Sequence, residues 1–160
     1  MRKLHNKNFL ITGHTGFQGF WLSNILFNLG YRNLYGIGLK PKKFQDDLYA
    51  LNKKNDVFLK SFFINVSDKK KFHLTLDHIV PDYIFHLASQ PLVGESFLNP
   101  LNNFETNIGG SINLLEWLRA QKRKIKVIFI TSDKCYQPST KAHKEEDKLG
   151  GLDPYSSSKS

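Results

Sequence analysis

The chain has 160 residues, 40% of them hydrophobic, enough for one packed domain and too few for two large ones. No apolar run approaches the roughly 20 residues that cross a bilayer, and no apolar core of signal-peptide length follows the basic start, Met1 to Lys7. One cysteine excludes a disulfide framework or a cysteine metal cluster, and the net charge of +9 is scattered from Lys40, Lys42 and Lys43 through Lys53 and Lys69 to Lys122, a solvated surface more than a nucleic-acid face.

A cytoplasmic protein with no membrane, nucleic-acid or metal partner is therefore expected. In chain order, Phe9-Leu10-Ile11 reads as a strand that runs into Gly13, Gly16 and Gly19, three glycines spaced three apart. Phe20, Trp21, Ile25, Leu26 and Leu29 then recur at helical spacing until Gly30 stops them. Strand, tight turn and helix in that order leave helix N-terminal N–H groups free for a pyrophosphate. Glycine is needed because a Cβ would block the turn, the phosphates or the packing of helix on strand.

A second strand is expected over 33–39, closed by Pro41, then a lysine-rich stretch with a short helix near 46–52. Residues 62–66 read as a third strand ending at Asn65-Val66, and Ser67 or Asp68 caps a helix that stops before Pro81. The apolar run 83–87 suits a buried parallel strand. Pro91 and Pro100 bracket a segment expected to be irregular. A long helix over 101–121 then carries Phe104, Ile108, Ile112, Leu115 and Leu118 on one face. A fifth strand over 126–131, a polar loop over 137–153 and the tail Tyr155 to Ser160 complete the chain.

Strands alternating with helices imply an α/β fold, a doubly wound parallel sheet of Rossmann type with right-handed crossovers. Ligands on such sheets lie beyond the carboxyl ends of the strands. The suggestive clusters fall there: Gly13 to Gly19, Asn65-Val66, Leu87 to Gln90 and Thr131 to Lys134. Tyr155 and Lys159 stand four apart in the last residues of the sequence.

The glycine pattern with Tyr155-x-x-x-Lys159 resembles the extended short-chain dehydrogenase/reductases of the NAD-dependent epimerase/dehydratase family. More narrowly, Gly13-His14-Thr15-Gly16-Phe17, Trp21-Leu22, His86 to Val93, Thr131 to Tyr136 and Asp147 to Tyr155 resemble the CDP-glucose 4,6-dehydratases, in order along essentially the whole chain. Ser132-Asp133-Lys134-Cys135-Tyr136 is the most specific stretch, since dehydratases of other nucleotide sugars have an acid where Lys134 stands. Gln18, Phe20 and Asn65 depart from the pattern.

The resemblance implies NAD held by Gly13, Thr15, Gly16, Phe17, Gln18, Gly19, Asn65, Val66, Leu87, Ala88, Ser89 and Gln90, with Tyr155 and Lys159. It implies conversion of CDP-glucose to CDP-4-dehydro-6-deoxyglucose through a transient NADH. Tyr155 would be the base for the 4-hydroxyl, tuned by Lys159, with Ser132 hydrogen-bonded to that hydroxyl. Asp133 would protonate the departing 6-hydroxyl, and Lys134 would face the carbon-5 proton as base or as enolate stabiliser. Lys40 stands where an acid usually holds the NAD ribose, so NADP is not excluded.

The remaining marked residues have plainer expectations: packing for His86, Trp21 and Trp117, a structural hydrogen bond for His14, and an inert buried thiol for Cys135. Asn107 is either a core-facing polar residue or a support for the tyrosine. The resemblance also implies a sheet that continues past the fifth strand, a further substrate region, and intact homo-oligomers pairing through helices. A truncated piece without turnover, its last six residues too short to hold a helix unaided, is the resulting expectation. An epimerase or reductase of the same fold, or a non-catalytic nucleotide-binding module, are the alternatives.

Overall fold

The computed structural model describes residues 6–42 and 45–160; the basic residues at 1–5 and Lys43 lie outside the described residues. Five strands, β1 (Phe9–Thr12), β2 (Leu34–Gly38), β3 (Lys60–Phe63), β4 (Tyr83–His86) and β5 (Lys126–Phe129), form one sheet. Its order is β3-β2-β1-β4-β5 and every pairing is parallel. The direction of winding reverses between β1 and β4, so the crevice at the carboxyl ends opens there.

The helices are α1 (Phe17–Asn28), α2 (Asp46–Lys54), α3 (Lys69–Ile79), α4 (Val93–Leu98), α5 (Pro100–Phe104), α6 (Gly110–Arg119) and α7 (Pro154–Lys159). No helix among the described residues is long and apolar enough to cross a membrane. Alternation along β1 divides the core: Leu10 joins Phe72, Leu76, Leu114 and Trp117 on one face, while Phe9 and Ile11 join Leu26 and Val57 on the other. Asp68 is the residue that caps α3, its carboxylate accepting from the Lys71 N–H at 3.1 Å.

Three expectations change. The third strand starts at Lys60 and ends at Phe63, because pairing with Tyr35–Gly38 sets its register, not the apolar run. The segment between Pro91 and Pro100 contains α4, and Pro100 sits at the start of α5, where its missing N–H costs nothing. The long helix is α5, a π-helical turn (Glu105–Gly109) and α6 in succession.

The apolar stripe of that helix also faces the other way. Ile112 and Leu115 are both 52% exposed, while Asn103, Asn107, Gly110, Asn113, Leu114 and Trp117 are buried. Polar residues can turn inward because they meet backbone: the Asn113 amide donates to the carbonyls of Val66 (2.9 Å) and Ser67 (3.2 Å). Trp117 is packed as expected, its indole N–H donating to Asp77 at 2.7 Å. Trp21 is half-exposed and touches only the edges of Phe17 and Phe20 among the described rings.

Gly110 marks a close approach of α6 to the turn after β3, since a Cβ there would stand 2.6 Å from Val66 Cγ2. Gly110→Ala gains helix propensity but forces that methyl aside, so a net loss of about 1–3 kcal/mol is expected. Urea unfolding reads it; a variant as stable as wild type would show that the contact gives way freely.

Candidate functional site

Because all five strands are parallel, their carboxyl ends share one rim, and the marked clusters lie along it. After Thr12 the chain turns at Gly13, in the left-handed region with φ of 73°. A Cβ at Gly13 would stand 2.9 Å from the Ala88 N–H nitrogen, and one at Gly19 would stand 2.4 Å from the Gly13 carbonyl oxygen. Neither position tolerates a side chain. α1 begins at Phe17 with no side-chain cap and no acidic residue in its first turn, so its leading N–H groups face the rim unneutralised. Phe17 and Gln18 are exposed there, while Thr15 is buried and donates its hydroxyl to the Leu39 carbonyl at 3.1 Å. This cradle fits the diphosphate of a dinucleotide.

Thr12 ties the turn to the loop after β4. The Ala88 N–H donates to Thr12 Oγ1 at 3.1 Å, and Thr12 Oγ1 lies 2.9 Å from His86 Nδ1. The hydroxyl keeps a second lone pair beside the one Ala88 takes, so the direction of its bond with His86 follows the ring tautomer. Further along the loop, the Gln90 N–H donates to Asn107 Oδ1 (2.8 Å), and the Asn107 amide donates to the Gln90 carbonyl (3.2 Å) and to Ser158 Oγ (2.7 Å). Asn103 donates to Gln90 Oε1 at 2.9 Å. Asn107 therefore supports the tyrosine helix. Leu87 and Ser89 lie half-buried on the same loop.

α7 brings Tyr155 and Lys159 to this loop. Asp153 caps it, accepting from the Ser156 N–H (2.9 Å) and hydroxyl (2.6 Å), and Pro154 fills the first helical position. Six residues would not stay helical alone; here the Tyr155 N–H donates to Ser96 Oγ at 3.2 Å, Ser156 is buried, and Ser160 Oγ donates to the Cys135 carbonyl at 2.9 Å. Tyr155 is half-buried. Lys159 is partly buried and donates to the Ile130 carbonyl at 3.3 Å, and burial pulls its pKa below the usual lysine value.

Ser132, Asp133 and Lys134 follow β5 in a 3₁₀ turn (Asp133–Cys135) that packs against α7. Ser132 Oγ donates to Asp133 Oδ1 at 3.1 Å and accepts from the Lys134 N–H at 3.2 Å. Asp133 and Lys134 are exposed; Cys135 is free and half-buried, not fully buried. Across the rim, Asn65 spends its side-chain oxygen on the Ser67 N–H (3.1 Å), and Val66 is 3% exposed in the core, its carbonyl taken by Asn113. Asn65 lies half-buried beyond the carboxyl end of β3, and Val66 is buried beside it. Thr12, Ser96, Asn103 and Ser158 carry the site's framework without any sequence signal beyond a polar residue inside a helix or strand pattern.

A family model described as GDP-mannose 4,6 dehydratase matches residues 10–160. The CDP-glucose 4,6-dehydratase of Salmonella typhimurium is 35% identical over 155 residues, 96% of this chain and 42% of that protein. The CDP-paratose 2-epimerase of Salmonella typhi is 32% identical over 79% of this chain and 37% of its own length. Among solved structures, the UDP-glucose 4-epimerase of Brucella ovis in complex with NAD superposes with a TM-score of 0.77 at 24% identity, over 96% of this chain and 44% of that one. The chain spans less than half the length of each of these relatives.

Two buried histidines underlie the rim. His14, 1% exposed, stands among Tyr49, Phe58 and Phe63, with Gly36 leaving room for its ring. Neither ring nitrogen makes a full hydrogen bond, so the expected one is replaced by aromatic packing. Burial lowers its pKa to about 4, with the Ile37 backbone opposing weakly. His86 is lowered to about 4 by burial and then by the charge of Lys159. Both groups take up protons more readily unfolded, so their stabilisation is full above pH 6.5 and is lost as pH falls towards 4. A drop of about 2 kcal/mol per histidine is expected between pH 7 and pH 5. Urea unfolding across that range checks it: His14→Phe should flatten the dependence, and a midpoint independent of pH in wild type would contradict the neutral pair.

Proposed function

Because this chain belongs to the GDP-mannose 4,6 dehydratase family, we propose that it forms the dinucleotide-binding and catalytic part of a nucleotide-sugar dehydratase acting on CDP-glucose. The products are CDP-4-dehydro-6-deoxyglucose and water. The observation that carries this reading is the packing of the Ser132-Asp133-Lys134 turn against the helix bearing Tyr155 and Lys159, held by the Ser160–Cys135 and Lys159–Ile130 bonds. An epimerase or reductase of this fold would use Tyr155 and Lys159 without needing Asp133 or Lys134.

The dinucleotide is read as NAD, cradled by Gly13 to Gly19 and bordered by Asn65 and by Leu87 to Gln90. When bound, it would supply an acceptor for the hydride of carbon 4 of the sugar and the donor of that hydride to carbon 6. Tyr155 removes the proton of the 4-hydroxyl as that hydride leaves, with Ser132 holding the same oxygen. Lys159 places a partly buried cation in the neighbourhood, where its field is less screened than in water. The 4-ketone acidifies carbon 5. Lys134 faces carbon 5, either as the base that takes its proton or as the cation that stabilises the enolate while water takes the proton. Asp133 gives its proton to the 6-hydroxyl, which departs as water.

The exposed stripe of Leu101, Phe104, Ile108, Ile112 and Leu115 is read as the face on which two copies pair. Sedimentation velocity should find a dimer for wild type and a monomer for Ile112→Lys; a wild-type monomer ends that part of the reading.

The catalytic assignment is tested on the intact protein with CDP-, UDP- and GDP-glucose, following the 4-keto product. CDP-glucose is expected to be converted fastest, and Asp133→Asn to slow conversion by about 10²–10⁴-fold. Full activity in Asp133→Asn and Lys134→Ala would remove the roles given to those residues; a sugar epimer formed without any 4-keto product would point to epimerase chemistry instead, and dinucleotide binding without turnover to a binding module.

A further inference from the structure

The amino ends of the strands share the rim opposite the glycine turn, and the fold gathers there cations that the chain order scatters. Hydrogen bonds tie the entering residues side by side. The Leu59 N–H donates to the Leu34 carbonyl at 2.8 Å, Phe9 to Asn33 at 2.9 Å, Asp82 to Asn8 at 2.9 Å and Lys126 to Asp82 at 3.0 Å. Of the turns that feed this rim, 28–33 holds one Lys or Arg, 53–60 holds three and 119–126 holds five; the only acids in them and in 79–82 are Asp56 and Asp82. Asp82 is paired with Lys7 at 3.0 Å. Some of the cations serve the fold: Arg119 pairs with Glu116 at 2.8 Å, and Arg123 donates to the Pro81 carbonyl at 2.7 Å. Lys53, Lys54, Lys122 and Lys124 are exposed and form no ion pair among the described residues.

Lys53 and Lys54 lie on the approach to β3, at one edge of the sheet, and Lys122 and Lys124 on the approach to β5, at the other. The four gaps between those two strands place their starts roughly 20 Å apart, so the charge forms a broad front and not a pocket for one small anion. Bare aliphatic side chains stand among the cations: Leu29 follows α1, Leu59 precedes β3 and Val80 ends α3, and they are 57%, 61% and 49% exposed. Beside β5, Arg123, Lys124 and Lys126 share with Leu118, Ile125 and Val127 a hollow of about 460 Å³. Cations interleaved with aliphatic groups suit a surface of anionic headgroups above hydrocarbon. A nucleic acid would instead be met by aromatic rings on which bases stack, and the large apolar side chains exposed in these turns are aliphatic. We infer that this rim docks on the surface of an anionic lipid bilayer, with Lys53, Lys54, Lys122 and Lys124 reaching the headgroup phosphates. The glycine turn and α7 then lie on the side away from the lipid. The inference is independent of which ligand the glycine turn holds.

Sedimentation of the purified protein with vesicles tests it, using phosphatidylcholine alone and phosphatidylcholine with about one-third phosphatidylglycerol. Binding is expected to the mixed vesicles only, with release in about 0.5 M salt, where exposed charges are screened. Lys53→Gln, Lys54→Gln, Lys122→Gln and Lys124→Gln combined should weaken binding about 100-fold, since each lysine near an anionic leaflet is worth about fivefold. The same loss of charge at the opposite rim, in Lys40→Gln, Lys42→Gln, Lys69→Gln and Lys70→Gln combined, should weaken it by less than about fivefold. Circular dichroism verifies that both variants fold. No binding to the mixed vesicles, binding as tight to phosphatidylcholine alone, equal weakening in the two variants, or a preference for duplex DNA over the vesicles overturns the inference.

Discussion

Gly13 lets the turn after β1 lie against the loop after β4 more closely than any side chain would permit, and the rim is built outward from that approach. Its left-handed φ bends the chain sharply enough for Gly19, at the first turn of α1, to settle on the Gly13 carbonyl. Two close backbone contacts therefore bring three things together: the leading N–H groups of a helix, the end of β1 and the loop from Leu87 to Gln90. A binding surface for phosphates arises from what is missing, a pair of Cβ atoms, as much as from what is present.

The loop after β4 has few backbone partners of its own, and buried amides replace them. Thr12 serves Ala88, while Asn103 and Asn107 serve Gln90, and Asn107 also reaches Ser158 on α7. Buried polar groups are tolerable only when satisfied, and a satisfied network holds its members in one arrangement. The seam thus transmits the position of the glycine turn to the helix that carries Tyr155 and Lys159. Asn107 sits in a π-helical turn, an irregularity found disproportionately at functional sites.

Charge follows the same plan. The first turn of α1 lacks acid, the chain before Asp46 lacks it altogether, and the positive ends of backbone dipoles are left to act on an incoming anion. His14 and His86, buried and neutral, add packing without adding buried charge, and the charge of Lys159 helps burial to keep the His86 ring unprotonated.

The amino-acid order alone determined the five strands, the glycine turn, and the pairing of Tyr155 with Lys159, because each is written in local spacing: apolar runs, glycines three apart, two residues one helical turn apart. The relationship to the nucleotide-sugar dehydratase and epimerase family was legible for the same reason. Only the tertiary structure decided which face of the helix at 101–121 is buried, since its apolar stripe turns outward and its asparagines donate to the carbonyls of Gln90 and Val66 and to the Ser158 hydroxyl, 17, 47 and 51 positions away. It also decided that β3 begins at Lys60, by strand pairing, and that α7 exists at all, by the capping of Asp153 and by contacts to Ser96, Asn107 and Cys135. Local periodicity reports how a segment prefers to fold; which groups lie opposite it depends on the sheet order, and no single window of sequence contains that.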